Sequence, residues 1–164
     1  MNRKLALCLI LTATAIQLGG IQPMPIPEIE LLTIDGSPTK LLVQTSTQSL
    51  RGQWLILYLQ SGCQSCDGLV NLLRRSEGIV NRPGKLMIVM GGMTSAELQR
   101  YMLRFPELAS ATWRADPARN AFRQLKLGGA PVIAGCREGT IFWTMNGSLP
   151  EPASVRAVVE SWTR

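Results

Sequence analysis

The chain has 164 residues, 46% hydrophobic and 17% charged, with 17 Lys plus Arg against 11 Asp plus Glu, four cysteines and no histidine. That composition is too apolar for a disordered tail and, at this length, fits one globular domain plus one strongly apolar segment. The missing imidazole excludes Ser-His-Asp and Cys-His nucleophile pairs, His-ligated zinc, copper or haem, and any His proton shuttle within the chain.

The apolar segment comes first. Met1-Asn2-Arg3-Lys4 is a short positive stretch, Leu5 to Ile16 is uncharged, and Gln17-Leu18-Gly19-Gly20 turns small and polar. That order predicts a secretory signal peptide over residues 1–20, cleaved after Ala15 of an A-x-A pattern or near Gly20, and hence an exported, periplasmic protein. The alternative is an uncleaved membrane anchor, but the apolar run of about twelve residues is short against the roughly 20 that span a bilayer. Cys8 lies inside the run rather than just after it, which gives a lipoprotein little support. Loss of Arg3 and Lys4 with the leader lowers the formal charge from +6 to +4. The remaining bases are scattered, with no run alternating bases and aromatics, so no nucleic-acid partner is expected.

Residues 21–27, with prolines at 23, 25 and 27, read as an extended lead-in that is neither helix nor central strand. A domain is expected over residues 28–164. Glu28 to Ile34 and Lys40 to Gln44 are strand candidates around an Asp35-Gly36-Ser37-Pro38 turn, together a hairpin. Gln53 to Gln60 is apolar nearly throughout, as a strand buried on both faces would be. A helix is expected to start around Cys63 and Cys66. Lys85 to Met90 reads as another buried strand, and Thr94 to Arg104 as an amphipathic helix opened by the Thr94-x-x-Glu97 capping-box pattern. Ala111 to Ala115 is a short strand, and Asp116-Pro117 is expected to open a helix reaching Leu125 with proline at its first position. Pro131 to Ala134 and Thr140 to Met145 pair around a turn at Arg137-Glu138-Gly139, and Pro152 to Trp162 closes the chain as a helix. Helices alternating with strands predict an α/β sandwich around one sheet.

The chemistry points to Cys63-Gln64-Ser65-Cys66. Two cysteines two residues apart at a helix start place the first thiol at the N-terminus, where backbone N–H groups and the helix dipole stabilise a thiolate, and the second one turn inward. Cys63 is then the attacking nucleophile, expected to have a depressed pKa, and Cys66 the resolving thiol. A CxxC is also half of a four-ligand zinc site, but only Cys136 remains as a further sulfur ligand in the mature chain, so no metal is expected. A purely structural disulfide is disfavoured because so small a ring restrains little chain entropy.

With these motifs in hand, the chain resembles the thioredoxin superfamily, within it the exported TlpA/ResA-type thioredoxin-like proteins, over about residues 26–163. Ile34-Asp35-Gly36-Ser37 followed by Leu50-Arg51-Gly52-Gln53-Trp54 is similar to that family's opening hairpin and entry to the central strand. Cys63-Gln64-Ser65-Cys66 is similar to its redox motif, and Asp116 to Leu127 with Gly128-Gly129-Ala130-Pro131-Val132 to its late helix and cis-proline loop. The resemblance implies a thioredoxin-like three-layer α/β/α sandwich with a mixed central sheet and an N-terminal β-hairpin. It implies catalytic Cys63 and Cys66, and a substrate-binding backbone at Ala130 before a cis Pro131. The activity implied is thiol–disulfide exchange without a cofactor on protein thiol or disulfide substrates, by a monomer served by a membrane or periplasmic electron donor.

The chain also departs from the family. Leu57 stands where many thioredoxins carry a buried acid, Gly62 where a Trp often precedes the first cysteine, and Leu69 where some ResA-like reductases carry a glutamate, so no proton-transfer residue is identified. Asp67 and Glu97 are the nearest acids by sequence, read as a favourable first-turn acid and a capping residue. Gln64 and Ser65 bring no cation while Asp67 brings a negative charge, which predicts a thiolate less stabilised than in strongly oxidising sites and leans toward a reductase. Cys136, about 16 Å from Pro131 along an extended strand, is expected to be a buried small hydrophobe rather than a resolving thiol. Two alternatives remain, a non-catalytic assembly module of an envelope complex and a peroxiredoxin-like peroxidase, the latter lacking the proline its pocket needs before the reactive cysteine.

Overall fold

The computed structural model describes residues 22–41, 52–146 and 152–164. The expected signal peptide and the segment around Leu50-Arg51 lie outside them. Among the described residues no helix is long and apolar enough to cross a membrane.

In chain order the elements are β1 (Met24–Pro25), β2 (Glu30–Leu32), β3 (Pro38–Lys40), β4 (Gln53–Gln60), α1 (Gln64–Leu73), α2 (Glu77–Val80), β5 (Leu86–Gly91) and α3 (Ser95–Met102). They are followed by β6 (Thr112–Asp116), α4 (Asn120–Gln124), β7 (Val132–Arg137), β8 (Thr140–Asn146) and α5 (Pro152–Thr163). The strands form one mixed sheet in the order β1-β8-β7-β4-β5-β6-β2-β3. β4, β5 and β6 run parallel, whereas β7 lies antiparallel to β4 on its other side. Crossovers through α1 and α3 connect the parallel strands, as parallel pairing requires.

Alternation along β4 sorts the core into two layers. Leu55, Leu57 and Leu59 pack with Cys66, Leu69, Val70 and Leu73 of α1, Leu98 and Tyr101 of α3, and Val155 and Val159 of α5. Trp54, Ile56 and Tyr58 face the other way, toward Ala121 and Leu125 of the α4 region and Ile26, Ile29, Leu31 and Leu41 of the N-terminal segments. All six of these β4 residues are buried, which is why the strand reads as a continuous apolar run rather than an alternating one. The result is the three-layer α/β/α sandwich expected from the resemblance, with the β2–β3 hairpin at one edge of its mixed sheet.

Several boundaries differ from the sequence expectation for physical reasons. The hairpin turn is tighter than Asp35 to Pro38: Pro38 already pairs with Leu32 as the first residue of β3, an edge position that needs no N–H from proline. The proline-rich lead-in is extended and joins the sheet as an edge strand, where Met24 and Pro25 pair with Ile141 and Thr140. Pro117 does not open α4. Asp116 is the last residue of β6, and the helix starts only after Arg119, whose left-handed backbone (φ 56°) interrupts the chain between them. The buried Asp116 carboxylate accepts from Asn120 N at 2.7 Å and Ala121 N at 2.9 Å, so it caps α4 from a distance. The short α2 was not foreseen; it contributes the buried Ile79.

Candidate functional site

The site forms where the parallel strands end. β4 stops at Gln60, and Ser61 N donates to Gly91 O (3.0 Å) at the end of β5, which ties the next turn to the neighbouring strand. Gly62 follows with φ 78°, a conformation that side chains resist. This explains why glycine rather than a bulky residue precedes Cys63.

Cys63 is the N-cap of α1. Its backbone is extended (φ −88°, ψ 107°), and Sγ accepts a hydrogen bond from Cys66 N at 3.2 Å. The sulfur thus occupies the place that a serine or aspartate oxygen takes in an ordinary cap, facing the unsatisfied N–H groups and positive dipole end of the helix. Ser65 Oγ lies 3.3 Å from the same sulfur. Cys63 and Cys66 are joined in a disulfide with Cα atoms 5.3 Å apart. Cys63 is half-buried and Cys66 is 1% exposed, so an incoming sulfur can reach the first and not the second.

Across the cleft the Ala130 carbonyl oxygen sits 3.6 Å from Cys63 Sγ. In the disulfide the sulfur carries no proton, so this is a contact; reduction gives it an S–H that can donate there. The Ala130–Pro131 peptide is cis. The structure therefore brings Cys63, Cys66, Ala130 and Pro131 to one end of the sheet.

Two expected absences of polar function have a structural counterpart. Leu57 is fully buried on the α1 side of β4 and Leu69 is 2% exposed in the same cluster, so both act as packing residues. The capping box is formed at α3: Glu97 N donates to Thr94 Oγ1 (3.3 Å), and Thr94 N donates to Glu97 Oε2 (2.8 Å). The Thr94 N–H, and after it the Thr94 hydroxyl, which donates to the same carboxylate oxygen at 2.9 Å, hold the Glu97 carboxyl below its ordinary value.

Asp67 is not the lone negative charge that the sequence suggested. Tyr101 Oη donates to Asp67 Oδ1 at 2.7 Å and Arg104 Nη2 to Oδ2 at 2.6 Å. Partial burial would raise the Asp67 pKa, but the Tyr101 and Arg104 hydrogen bonds outweigh it and leave the carboxyl below its usual value. Burial and the Asp67 partner push the Tyr101 phenol well above its own. Together with Gln60, Gly62, Cys63, Gln64 and Met93, these three residues line a cleft of about 280 Å³ beside the nucleophile. Sequence reasoning missed Tyr101 and Arg104. Tyr101 is in the last turn of α3 and Arg104 in the turn just after it, and nothing in the sequence points either at a residue more than thirty positions earlier.

Cys136 is remote. It pairs with Trp54 at the start of β4, the end opposite the Cys63 turn, and is a free, fully buried thiol whose pKa burial pushes far up. Among the described residues no group of three or more Cys, Asp or Glu side chains is arranged to hold a metal ion.

The sequence matches no family model and no curated protein. Solved structures do match. A secreted disulfide oxidoreductase of Mycobacterium tuberculosis, homologous to E. coli DsbE, superposes with a TM-score of 0.63 at 14% identity, over 82% of this chain and 96% of that one. The thioredoxin domain of a thiol-disulfide oxidoreductase from Bacteroides vulgatus gives 0.63 at 14% identity, over 85% and 96%. A thio-disulfide isomerase from Thermus thermophilus gives 0.60 at 19% identity, over 83% and 93%. At such identities the likeness establishes the fold, and the fold is thioredoxin-like.

Proposed function

We propose that this protein is an exported thiol–disulfide oxidoreductase acting on protein thiols and disulfides. The observation that carries this reading is the asymmetry of the pair: Cys63 Sγ is reachable and capped by the Cys66 N–H, whereas Cys66 is buried one turn behind it. The reading is also supported by the thioredoxin-like fold and by neighbours described as oxidoreductases and an isomerase.

In the reducing direction the Cys63 thiolate attacks one sulfur of a substrate disulfide, the Cys63–substrate S–S bond forms, and the other substrate sulfur leaves as a thiolate that takes a proton. Cys66, once deprotonated, then attacks Cys63 Sγ and expels the second substrate thiol. Two electrons pass to the substrate and the Cys63–Cys66 disulfide remains, the state seen in the structure. The N–H groups at the start of α1 lower the cost of the Cys63 thiolate at each step. The backbone at Ala130, beside the cis Pro131, lies where an extended substrate segment would pair while held as the mixed disulfide.

The leader at residues 1–20 and the secreted M. tuberculosis neighbour support export, which in turn favours an envelope donor of electrons. Insulin reduction in the presence of a chemical reductant tests the activity. Turnover by the wild type, lost in Cys63→Ser, is the expected result; no turnover, or turnover unaffected by the substitution, would count against an oxidoreductase and favour a scaffold module. The reduction potential decides direction: a value near the −270 mV of thioredoxin marks a reductase, and one near −120 mV a disulfide-forming oxidant.

A further inference from the structure

The cleft beside Cys63 contains a charge arrangement that the exchange chemistry described above does not use. Asp67 follows Cys63 by four residues, a spacing that brings side chains together on one face of a helix, and both line the same cleft. An isolated carboxylate there would compete with a Cys63 thiolate for the same positive helix end. The carboxylate is not isolated, because α3 and the turn after it deliver a phenol and a cation to it. We propose that Arg104, assisted by Tyr101, is a positioning residue that neutralises Asp67 and so spares the Cys63 thiolate the field of a neighbouring carboxylate. The inference rests on the reading of Cys63 as the exchange nucleophile.

Three features of the geometry support it. The Arg104 guanidinium is held by more than the ion pair: its carbon lies 5.0 Å from the Tyr101 ring centroid and 5.4 Å from that of Phe105. Those rings are themselves fixed, with Tyr101 and Phe105 buried in the core on the α1 side and Tyr101 set edge-on to Trp113. The cation is therefore placed by the core and its location does not depend on the chance meeting of two flexible side chains. Second, the pair is half open to water, with side chains 54% and 38% exposed, and such pairs contribute little to stability. A role in stability alone therefore accounts poorly for the pair, which leaves its effect on the sulfur in the same cleft. Third, few other charges face Cys63. The turn before it offers Gln60, Ser61 and Gly62, and the loop opposite offers Gly128, Gly129, Ala130 and Pro131, none of them titratable. The charged groups on α3 itself are Glu97 and Arg100, which line the adjoining cleft with Arg104. Glu97 is engaged with Thr94.

The test is a titration of Cys63 in the reduced protein, followed as the pH dependence of alkylation at that residue and mapped by mass spectrometry. Loss of the cation in R104Q raises the Cys63 pKa, and loss of the carboxylate in D67N lowers it, each by about half a unit to one unit for charges several ångströms apart near the surface. The double variant D67N/R104Q returns close to the wild-type value, since both arrangements are neutral. R104K, which keeps the charge, stays close to the wild-type value, and Y101F moves the value upward by less than R104Q. Thermal midpoints measured alongside separate this from a strut between α1 and α3: a strut lowers the midpoint and leaves the thiol pKa in place. Shifts of the same sign in R104Q and D67N, or no shift in either, overturn the proposal. The titration needs no substrate, so opposed shifts without insulin reduction would sink the exchange reading alone, and Cys63-dependent reduction without shifts would sink this inference alone.

Discussion

The starts of α1 and α3 are two versions of one local structure. In each, a side chain at the N-cap accepts the N–H three residues on: Cys63 Sγ from Cys66 N at 3.2 Å, and Thr94 Oγ1 from Glu97 N at 3.3 Å. In each, an acid stands in the first turn, Asp67 or Glu97. At α3 the acid turns back and bonds its own cap residue, which closes a box and leaves no group reactive. At α1 the acid turns outward to Tyr101 of α3 and Arg104 of the turn after it, and the cap remains a sulfur that is open to attack. The same N–H geometry that merely stops a helix from fraying at Thr94 stabilises a nucleophile at Cys63. The atom at the cap and the direction taken by the acid decide which role results.

The largest expected effect comes from exchanging the sulfur cap for an oxygen cap. Cys63→Ser keeps a hydrogen-bond acceptor at the helix start, so circular dichroism and the thermal midpoint stay close to those of the reduced protein, while disulfide exchange falls to the uncatalysed rate. Cys66→Ser leaves the nucleophile without its resolving partner, and a mixed disulfide between Cys63 and a peptide thiol accumulates on non-reducing gels.

The reverse outcome is expected at α3. Thr94→Ala removes an oxygen cap at a cost of about 1 kcal/mol, visible as a lower denaturation midpoint, and leaves the exchange rate unchanged. A loss of activity comparable to that of Cys63→Ser would erase the distinction drawn between the two helices.

A smaller effect lies in the acid limb of stability. Asp67 and Glu97 both have folded pKa values below their ordinary 3.8 and 4.5, so each stabilises the fold fully above those values and ceases to do so as pH falls through the lowered folded value. Thermal midpoints measured from pH 6 down to pH 2 should decline less steeply in D67N than in the wild type. The smallest signal is a negative one: Cys136, buried behind Trp54, stays unmodified by iodoacetamide in the folded protein and reacts only on denaturation.

The residues differ in how much of this they announced. The apolar run Gln53 to Gln60 and the Thr94-x-x-Glu97 pattern are each readable from contiguous residues, and they correspond to the buried strand β4 and to the capping box of α3. The start of α4 was misread because Pro117 looks like a helix opener; what overrules it is the αL conformation of Arg119 and the reach of Asp116 from the preceding strand. The pairing of Asp67 with α3 was illegible for a stronger reason. Its partners lie 34 and 37 residues away, and only the packing of two crossover helices on the same side of the sheet brings them to the cysteine. A charge judged from its neighbours in sequence had the right sign but not its partners, Tyr101 and Arg104.

The central claim, that the helix start at α1 makes Cys63 a nucleophile, is tested most directly by the pH profile of alkylation at each cysteine of the reduced, folded protein. The account predicts that Cys63 reacts first, with a midpoint below the ordinary thiol value of about 8.5, while Cys66 and Cys136 remain protected. A Cys63 midpoint at or above 8.5, or Cys66 reacting as readily as Cys63, would contradict it.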